Sequence, residues 1–367
     1  MKGKATDLFP GGNTSKGFYS FYRYILGQDE ARRIICIKGG PGTGKSSLMK
    51  KIAAHFNEKG YDIEYHHCSS DNNSLDGVVI KGLNVAILDG TAPHVVDPVN
   101  PGAVDEILNM GECWNEVGFT QYRKNIIDIN KEVGKTFRRA YRFIGAAKAV
   151  HDDLSNYNNE ALNNGKLNKL MEELKDKIFK TPVTGNAYER HLFATAFTPN
   201  GIITYVDSIL DGYKEVYVLN GGPGTGKTDV LDYLSREALK RGLSVQIFHD
   251  PLIPERLEHI LIPELSTAIV TSNEINQKKL IGKQIYMDNL LNSYIINKNR
   301  EEINYDTELF YELLNKGLKL IASAKVLHDQ METYYIPNMN FDKIDDVTRK
   351  LIEKLEGYEK EFKVSEQ

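Results

Sequence analysis

Cysteines and long apolar runs are both scarce in this sequence of 367 residues. Its three cysteines, Cys36, Cys68 and Cys113, are too few for a disulfide framework, and none forms the Cys-x-x-Cys pair of a zinc site. No apolar run reaches the roughly 18 residues that a transmembrane helix needs. The N-terminus also lacks the apolar core of a signal peptide. We therefore expect a cytoplasmic protein with reduced thiols and no membrane partner.

An excess of charge of one sign is lacking as well. The 46 Lys and Arg residues nearly balance the 50 Asp and Glu residues, which gives a formal net charge of −4. This balance gives no strong nucleic-acid signal, because such a surface is normally basic. With 41% hydrophobic and 26% charged residues, the composition is that of a globular protein. The length favours about two domains.

What the sequence does contain is a repeat. The heptapeptide GGPGTGK occurs at residues 39–45 and again at 221–227, an offset of 221 − 39 = 182 residues. Matches continue on both sides, since DLFPGGNTSKG aligns with HLFATAFTPNG and AAKAVHDDL with SAKVLHDQM. The duplication predicts a tandem repeat of one fold, with domains at residues 1–182 and 187–367. The turn-forming segment TPVTGN at residues 181–186 is the predicted linker.

The order of elements in each half predicts an α/β fold. In repeat 1 we expect strands at residues 34–37, 63–67 and 85–88, with a helix after the glycine-rich loop and a short helix at 75–80. Alternation of this kind predicts a parallel sheet with right-handed crossovers. Helix formers then dominate residues 121–157, and the segment KLNKLMEELKDKI closes the half. The expected architecture is two tandem P-loop NTPase domains, each a parallel sheet flanked by helices with an added helical segment.

Each heptapeptide is followed by Ser46 or Thr228, which completes the P-loop pattern Gly-x-x-x-x-Gly-Lys-Ser/Thr. In this pattern backbone N–H groups wrap phosphate oxygens, the lysine reaches the β and γ phosphates, and the hydroxyl ligates Mg²⁺. The residues predicted to bind nucleotide are Gly39, Gly40, Pro41, Gly42, Thr43, Gly44, Lys45, Ser46 and Ser47 in repeat 1, and Gly221, Gly222, Pro223, Gly224, Thr225, Gly226, Lys227, Thr228 and Asp229 in repeat 2.

The acid that completes a magnesium site is present in one half only. Asp89 ends the apolar segment VAILD in repeat 1, where a strand-end acid usually helps to hold the metal, whereas repeat 2 has Thr271 at the matching place. We predict catalytic roles for Lys45 and Asp89. The predicted metal ligands are Ser46 and Asp89 in repeat 1 and Thr228 in repeat 2.

Repeat 2 is therefore expected to bind nucleotide but to be impaired in metal-dependent chemistry. The alternative is that Thr271 holds a water on the metal, or that Glu274 or Asp250 replaces the missing acid.

Two further absences narrow the class of P-loop protein to which the chain is expected to belong. Many ATP-driven machines place a catalytic Glu after the strand-end Asp, but Gly90 stands there. In the loop that follows, His94 or Asp97 would act on water or on an acceptor, or both are simply solvated. The Asn-Lys-x-Asp signature of GTPases is missing, because Asn297-Lys298-Asn299-Arg300 lacks its Asp. ATP with Mg²⁺ is therefore the expected ligand.

A charged motif recurs on the long helical segment of each repeat. Its members are Lys148, His151 and Asp152 in repeat 1 and Lys325, His328 and Asp329 in repeat 2. Their spacing puts the set on one helix face. Two interpretations remain: the lysine touches the γ phosphate beside an acceptor pocket, or the set pairs with the sheet of its own half.

Other signals are weaker. The arginines at 138, 139 and 142 form either a lid or arginine finger, or a solvated helix face. His67 and His249 end the second predicted strand of each repeat, where they line a ligand crevice or are buried structural residues.

With GGPGTGKS, GGPGTGKT, LDGTAPH and HLFATAFTPNG in place, the chain resembles an uncharacterised family of bacterial tandem P-loop proteins that are described as ATPase-like or nucleotide-kinase-like. The resemblance covers essentially the whole chain. It implies ATP binding and a P-loop fold in each half, and it supplies no substrate.

Three functions follow from these expectations. The first is Mg²⁺-dependent ATP hydrolysis mainly in repeat 1, with repeat 2 as a degenerate or regulatory nucleotide site. The second is a kinase that passes the γ-phosphoryl group to an unknown small-molecule or protein acceptor. The third is a non-catalytic ATP sensor. The two repeats would form a pseudo-dimer if their sites face each other.

Overall fold

The computed structural model describes residues 1–92, 96–180, 185 and 187–365. The elements of the first repeat are, in order, β1 (Ala5–Leu8), β2 (Gly11–Thr14), β3 (Gly17–Ser20), β4 (Arg33–Lys38), α1 (Lys45–Glu58), β5 (Ile63–His67), β6 (Leu75–Ile80), β7 (Val85–Asp89), β8 (Asp105–Asn109), α2 (Glu116–Phe119), α3 (Arg123–Ala161) and α4 (Asn164–Ile178).

The second repeat follows the same plan. Its elements are β9 (Glu189–Leu192), β10 (Thr195–Thr198), β11 (Gly201–Thr204), α5 (Val206–Leu210), β12 (Glu215–Asn220), α6 (Lys227–Lys240), β13 (Val245–His249), β14 (Leu257–Ile262), β15 (Thr267–Ser272), β16 (Lys283–Tyr286), α7 (Ser293–Lys298), α8 (Arg300–Tyr335) and α9 (Phe341–Ser365).

Each repeat builds one six-stranded, mostly parallel sheet within the described residues. The strand order is β1-β5-β6-β7-β4-β8 in the first sheet and β9-β13-β14-β15-β12-β16 in the second. In both sheets the central strand before the glycine-rich loop has parallel neighbours on both sides. Flanking helices complete a mixed α/β fold that is compatible with two α/β domains.

The expected short helix at residues 75–80 is wrong, because this segment is strand β6. It pairs antiparallel with both β5 and β7, and β14 does the same in the second sheet. All six residues of β6 are buried, which is typical of an interior strand, and Gly82 and Asn84 adopt the positive φ values that the turn into β7 requires. The sheets are therefore mixed, not wholly parallel as expected.

The chain divides into two compact units that do not follow the repeat bounds 1–182 and 187–367. The first unit comprises Met1–Gly11, Ser20–Arg138 and Leu320–Gln367, and the second comprises Gly12–Tyr19 and Arg139–Lys319. Each unit thus contains the sheet of one repeat and the late helices of the other. The predicted linker, residues 181–186, lies outside the described residues except for Gly185.

Apolar packing and ion pairs hold these exchanged helices. In the first unit, Leu351 and Leu355 of α9 join the core formed by α1 and the first sheet. Lys51 of α1 also donates to Asp345 at 2.6 Å. In the second unit, Leu167 and Leu174 of α4 join the core of α6 and the second sheet. Burial of such side chains stabilises a fold by about 1.5–3 kcal/mol each.

None of the described helices combines the length and the apolar character that a membrane crossing requires.

Candidate functional site

The first loop, residues 39–45, connects β4 to α1. Gly42 and Gly44 adopt left-handed φ values of 66° and 83°, so the chain can turn tightly before the helix begins at Lys45. The Lys45 ammonium group donates to the carbonyl oxygens of Gly39 at 3.0 Å and Gly40 at 2.7 Å. The loop carbonyls thus hold the ammonium group of Lys45 at the N-terminus of α1. Anions bind favourably at such a helix end.

Asp89 lies beside this lysine. Its Oδ2 is 3.5 Å from Lys45 Nζ, and both side chains are largely buried. Its Oδ1 accepts a hydrogen bond from the Thr91 backbone N–H at 2.9 Å, while the Thr91 hydroxyl donates to the Gly39 carbonyl. On the first turn of α1, Ser46 Oγ accepts from the Leu75 backbone N–H. The two predicted catalytic residues are therefore brought together.

The second loop, residues 221–227, has the same local geometry. Gly224 and Gly226 have φ values of 70° and 87°, and α6 begins at Lys227. The Lys227 ammonium group donates to the Gly221 carbonyl at 2.6 Å and to the Gly222 carbonyl. This loop borders a cavity of about 170 Å³, whose lining includes Thr228 and Asp229.

Strand register places Thr271 at the position of Asp89. Ile37 in β4 pairs with Asp89, and Leu219 in β12 pairs with Thr271, each two residues before the first loop glycine. Thr271 Oγ1 accepts from the Asn273 side chain at 3.2 Å. The structure therefore agrees with the sequence alignment that gives one repeat an acid and the other a hydroxyl at this strand end.

A different acid, Glu274, lines the cavity of the second loop. His151 Nε2–H donates to Glu274 Oε1 at 2.6 Å, and the imidazole is fully buried. Burial alone would raise the pKa of Glu274, but the hydrogen bond from His151 and the charges of Lys227 and Arg256 outweigh it and lower this pKa to about 2. Burial in turn lowers the pKa of Lys227.

An ion pair lines the same cavity. Arg256 donates to Asp250 Oδ2 through Nε at 3.2 Å and Nη2 at 2.5 Å. Asp250 Oδ1 accepts from the backbone N–H groups of Leu252 and Ile253. Both oxygens of this carboxylate are thus engaged, and the guanidinium is held at the cavity wall as a fixed positive charge.

Glu258 is buried on β14 and faces the cavity. Its Oε1 accepts from Thr195, Asn273 and Asn276, but burial, and then the charge of Asp250, raise its pKa to about 8. The next residue, His259, accepts the Thr271 backbone N–H on Nδ1, so its proton is on Nε2. Burial lowers the pKa of His259 to about 3. Near pH 7 both side chains are therefore uncharged.

Each loop is covered by a helix from the other repeat. In the second unit, Asn158 of α3 donates to the Pro223 carbonyl at 2.7 Å. A Cβ on Gly224 would lie 2.0 Å from the Ser155 carbonyl oxygen. In the first unit, a Cβ on Gly40 would lie 2.3 Å from the Tyr335 ring. Glycine is thus required at position 224, where backbone atoms approach a left-handed residue, whereas at position 40 a larger residue would displace the Tyr335 ring.

The repeated helix motif reaches these loops but not as expected. His151 does not pair with the sheet of its own repeat, because its partner Glu274 belongs to repeat 2. Lys148 pairs with Asp152 one turn away at 2.5 Å. The exchange of helices between repeats explains the change of partner, since α3 from Arg139 onward packs in the second unit.

The second copy of the motif lies in the first unit. Lys325 pairs with Asp329 and lies 3.5 Å from Asp71. Glu332 accepts the Gly42 backbone N–H, and its Oε1 is 3.6 Å from His328 Nδ1. Among the described residues, only His328, Asp329 and Glu332 form a group of three His, Cys, Asp or Glu side chains whose ligand atoms all lie within 4.8 Å of one another. Lys325 already neutralises part of that cluster.

The weaker signals resolve into ordinary contacts. The arginines at 138, 139 and 142 are exposed, as a solvated helix face requires. His67 pairs with Asp7 at 2.7 Å, and His249 contacts His191 at 2.9 Å. Burial lowers the pKa of His249 to about 4. Asp97 is exposed and pairs with Lys38, and His94 lies outside the described residues. All three cysteines are buried and free.

Several residues at the loops were not predicted as site residues. They are Ser155, Asn158, Arg256, Glu258, Glu332 and Tyr335. The signal that would have found Glu258 is a charge inside the apolar run LEHILI, which reads as buried once the segment is recognised as a strand.

A family model described as Nephrocystin 3, N-terminal, matches residues 20–81. This segment contains β4, the first loop, α1, β5 and β6, and so covers one loop and part of one sheet. No curated protein and no solved structure matches the chain.

Proposed function

We propose that the protein is an ATP-binding P-loop NTPase that hydrolyses ATP, with Mg²⁺, mainly at the first loop. In this proposal each compact unit has a P-loop fold. The second loop is a nucleotide site that regulates the first.

One observation carries the proposal: Asp89 lies 3.5 Å from Lys45 at the end of the strand that neighbours β4. A lysine at a glycine-rich helix N-terminus binds phosphate oxygens, and an acid on the adjacent strand end holds the cation that accompanies them. The second loop has the lysine but not the strand-end acid. Hydrolysis is therefore assigned to the first loop.

The residues of the first loop fit a magnesium ion. The described contacts of Asp89 Oδ2 leave lone pairs available, because its ion pair with Lys45 is 3.5 Å long. Ser46 provides a hydroxyl on the first turn of α1. These two side chains would hold Mg²⁺, which neutralises charge on the phosphate oxygens during phosphoryl transfer. Lys45 would orient the γ phosphate, and backbone N–H groups of residues 43–46 would hold the α and β phosphates.

The test follows the label from [γ-³²P]ATP incubated with the full chain and Mg²⁺, alone and with pooled nucleosides and nucleotides. We expect free phosphate without any acceptor, abolished by EDTA. Label on an added acceptor would contradict hydrolysis and favour a kinase. Binding of ATP without any turnover would contradict both and favour a sensor.

A further inference from the structure

We propose that Glu274 holds the divalent cation of a nucleotide bound at the second loop, in place of the acid missing at Thr271. The inference rests on the proposed function, since it requires nucleotide at this loop. It gives the regulatory site a metal centre of its own, built on a different position of the fold.

The position of Glu274 is fixed by its neighbours. It lies three residues after Thr271 and lines the same cavity as Lys227 and Thr228. Asn273 Oδ1 accepts the backbone N–H groups of Ile275 and Asn276, so the turn that carries Glu274 is held from both sides. Its carboxylate is thus presented to the cavity by a braced turn.

One oxygen of this carboxylate is open. Glu274 Oε1 accepts from His151, whereas Oε2 is buried without a hydrogen-bond partner among the described residues. A buried carboxylate oxygen normally has a donor or a cation, because its desolvation is costly. Metal-binding side chains are typically held by a second hydrogen bond of this kind. His151 is therefore a positioning residue, and Oε2 is the candidate ligand.

The other acids of the cavity are less suited to hold a cation at the second loop. Both Asp250 oxygens accept two hydrogen bonds, from Arg256 and from backbone N–H groups. Glu258 Oε1 accepts three side-chain donors, and its Oε2, 3.5 Å from His259 Nε2, is also buried without a hydrogen-bond partner among the described residues. Asp229 is exposed on α6. Glu258 and Glu274 therefore each have one open oxygen, but Glu274 follows β15, which neighbours the loop strand β12, whereas Glu258 lies on β14, one strand farther from the loop.

The first repeat has the reverse arrangement. With the offset of 182, Ala92 matches Glu274, as Asp89 matches Thr271. Each repeat therefore has one acid at one of these two positions. Mg²⁺ binds oxygen ligands, which a hydroxyl, one carboxylate, phosphate and water can supply. A carboxylate at either of the two positions therefore meets this requirement.

The experiment uses the full chain with Lys45→Ala, which removes binding at the first loop. Calorimetry measures the Kd of the ATP analogue AMP-PNP with Mg²⁺ and with EDTA, and electron paramagnetic resonance counts Mn²⁺ bound with the analogue. We expect one Mn²⁺ per chain and binding at least about tenfold tighter with Mg²⁺. Adding Glu274→Gln should abolish the binding of Mn²⁺ with the analogue. It should also bring the Kd values of AMP-PNP with Mg²⁺ and with EDTA to within about twofold of each other.

Two further variants separate ligation from folding. Glu255→Gln alters an exposed glutamate paired with Lys16 and should leave both readouts unchanged. Thr271→Asp in the Glu274→Gln chain should restore the Mg²⁺ dependence, because it returns an acid to the strand end.

Unchanged Mg²⁺ dependence in Glu274→Gln would overturn the inference, and so would Mg²⁺-independent binding with Glu274 intact. If the unaltered chain binds no nucleotide under any condition, the proposed function itself is contradicted, and the inference with it.

Discussion

The two glycine-rich loops share seven residues and a backbone conformation, but their surroundings differ. At the first loop, Asp89 stands beside the lysine at a strand end. At the second, the strand end carries Thr271, and the cavity is lined by Glu274 and by the Arg256–Asp250 pair. The two loops thus share one backbone conformation, whereas the acids around them occupy different positions.

The side chains that cover the two loops also differ. Tyr335 and Glu332 approach the first loop, and Ser155 and Asn158 approach the second. These pairs come from corresponding helices of the opposite repeat. A buried histidine bonded to an acid, His151 with Glu274, is found at the second loop, whereas His328 at the first is partly exposed. The corresponding helices α3 and α8 therefore make different polar contacts at the two loops.

The largest expected difference between the two loops comes from replacing the polar side chain at each strand end. If Asp89 holds the metal as proposed, Asp89→Asn should lower ATP turnover by about a hundredfold, because a metal ligand supplies several kcal/mol to phosphoryl transfer. Thr271→Val should change turnover by less than about twofold, since no acid is lost. Steady-state phosphate release measures both. Equal effects of the two substitutions would mean that the strand ends are equivalent.

A second test concerns the helix over the second loop. Gly224→Ala should lower the free energy of unfolding by about 2–4 kcal/mol, because its Cβ would meet the Ser155 carbonyl in a strained left-handed conformation. Gly222→Ala is the matched control, since its Cβ meets only the Asn158 side chain at 3.6 Å. Chemical denaturation compares them. Equal destabilisation would show that α3 does not approach the loop as described.

A third test is a pH dependence of stability that Glu258 should give the second unit. Burial raises the pKa of this carboxyl from 4.5 to about 8, so the folded chain takes up a proton that the unfolded chain has lost. The free energy of unfolding should therefore fall as pH rises from 4.5 towards 8, by at most about 1.4 kcal/mol per pH unit. Glu258→Gln should flatten this decline in denaturation curves at pH 5, 6, 7 and 8. A decline that is unchanged in the variant would assign it to another group.

The sequence predicted the loops and their flanking elements because each signal there is local. A β-branched run, a glycine-rich turn and a periodic apolar helix follow one another within residues 34–56. The antiparallel strands β6 and β14 were missed because a six-residue apolar run is typical of a buried strand and of a short helix alike.

The hydrogen bond between His151 and Glu274 could not be predicted from local sequence patterns. The two residues are 123 positions apart and belong to different repeats. Only the exchange of helices between the repeats brings them together, and that exchange depends on which apolar faces of α3, α4, α8 and α9 pack on which sheet. The sequence offered Glu274 and Asp250 as alternative acids for the second loop, and the choice between them required the tertiary structure.

Whether the two loops have different roles is tested by comparing Lys45→Ala with Lys227→Ala in the same turnover assay. If hydrolysis belongs to the first loop, Lys45→Ala should abolish phosphate release, whereas Lys227→Ala should retain a measurable rate with an altered dependence on ATP concentration. Equal losses of turnover in the two variants would contradict the division of roles between the loops.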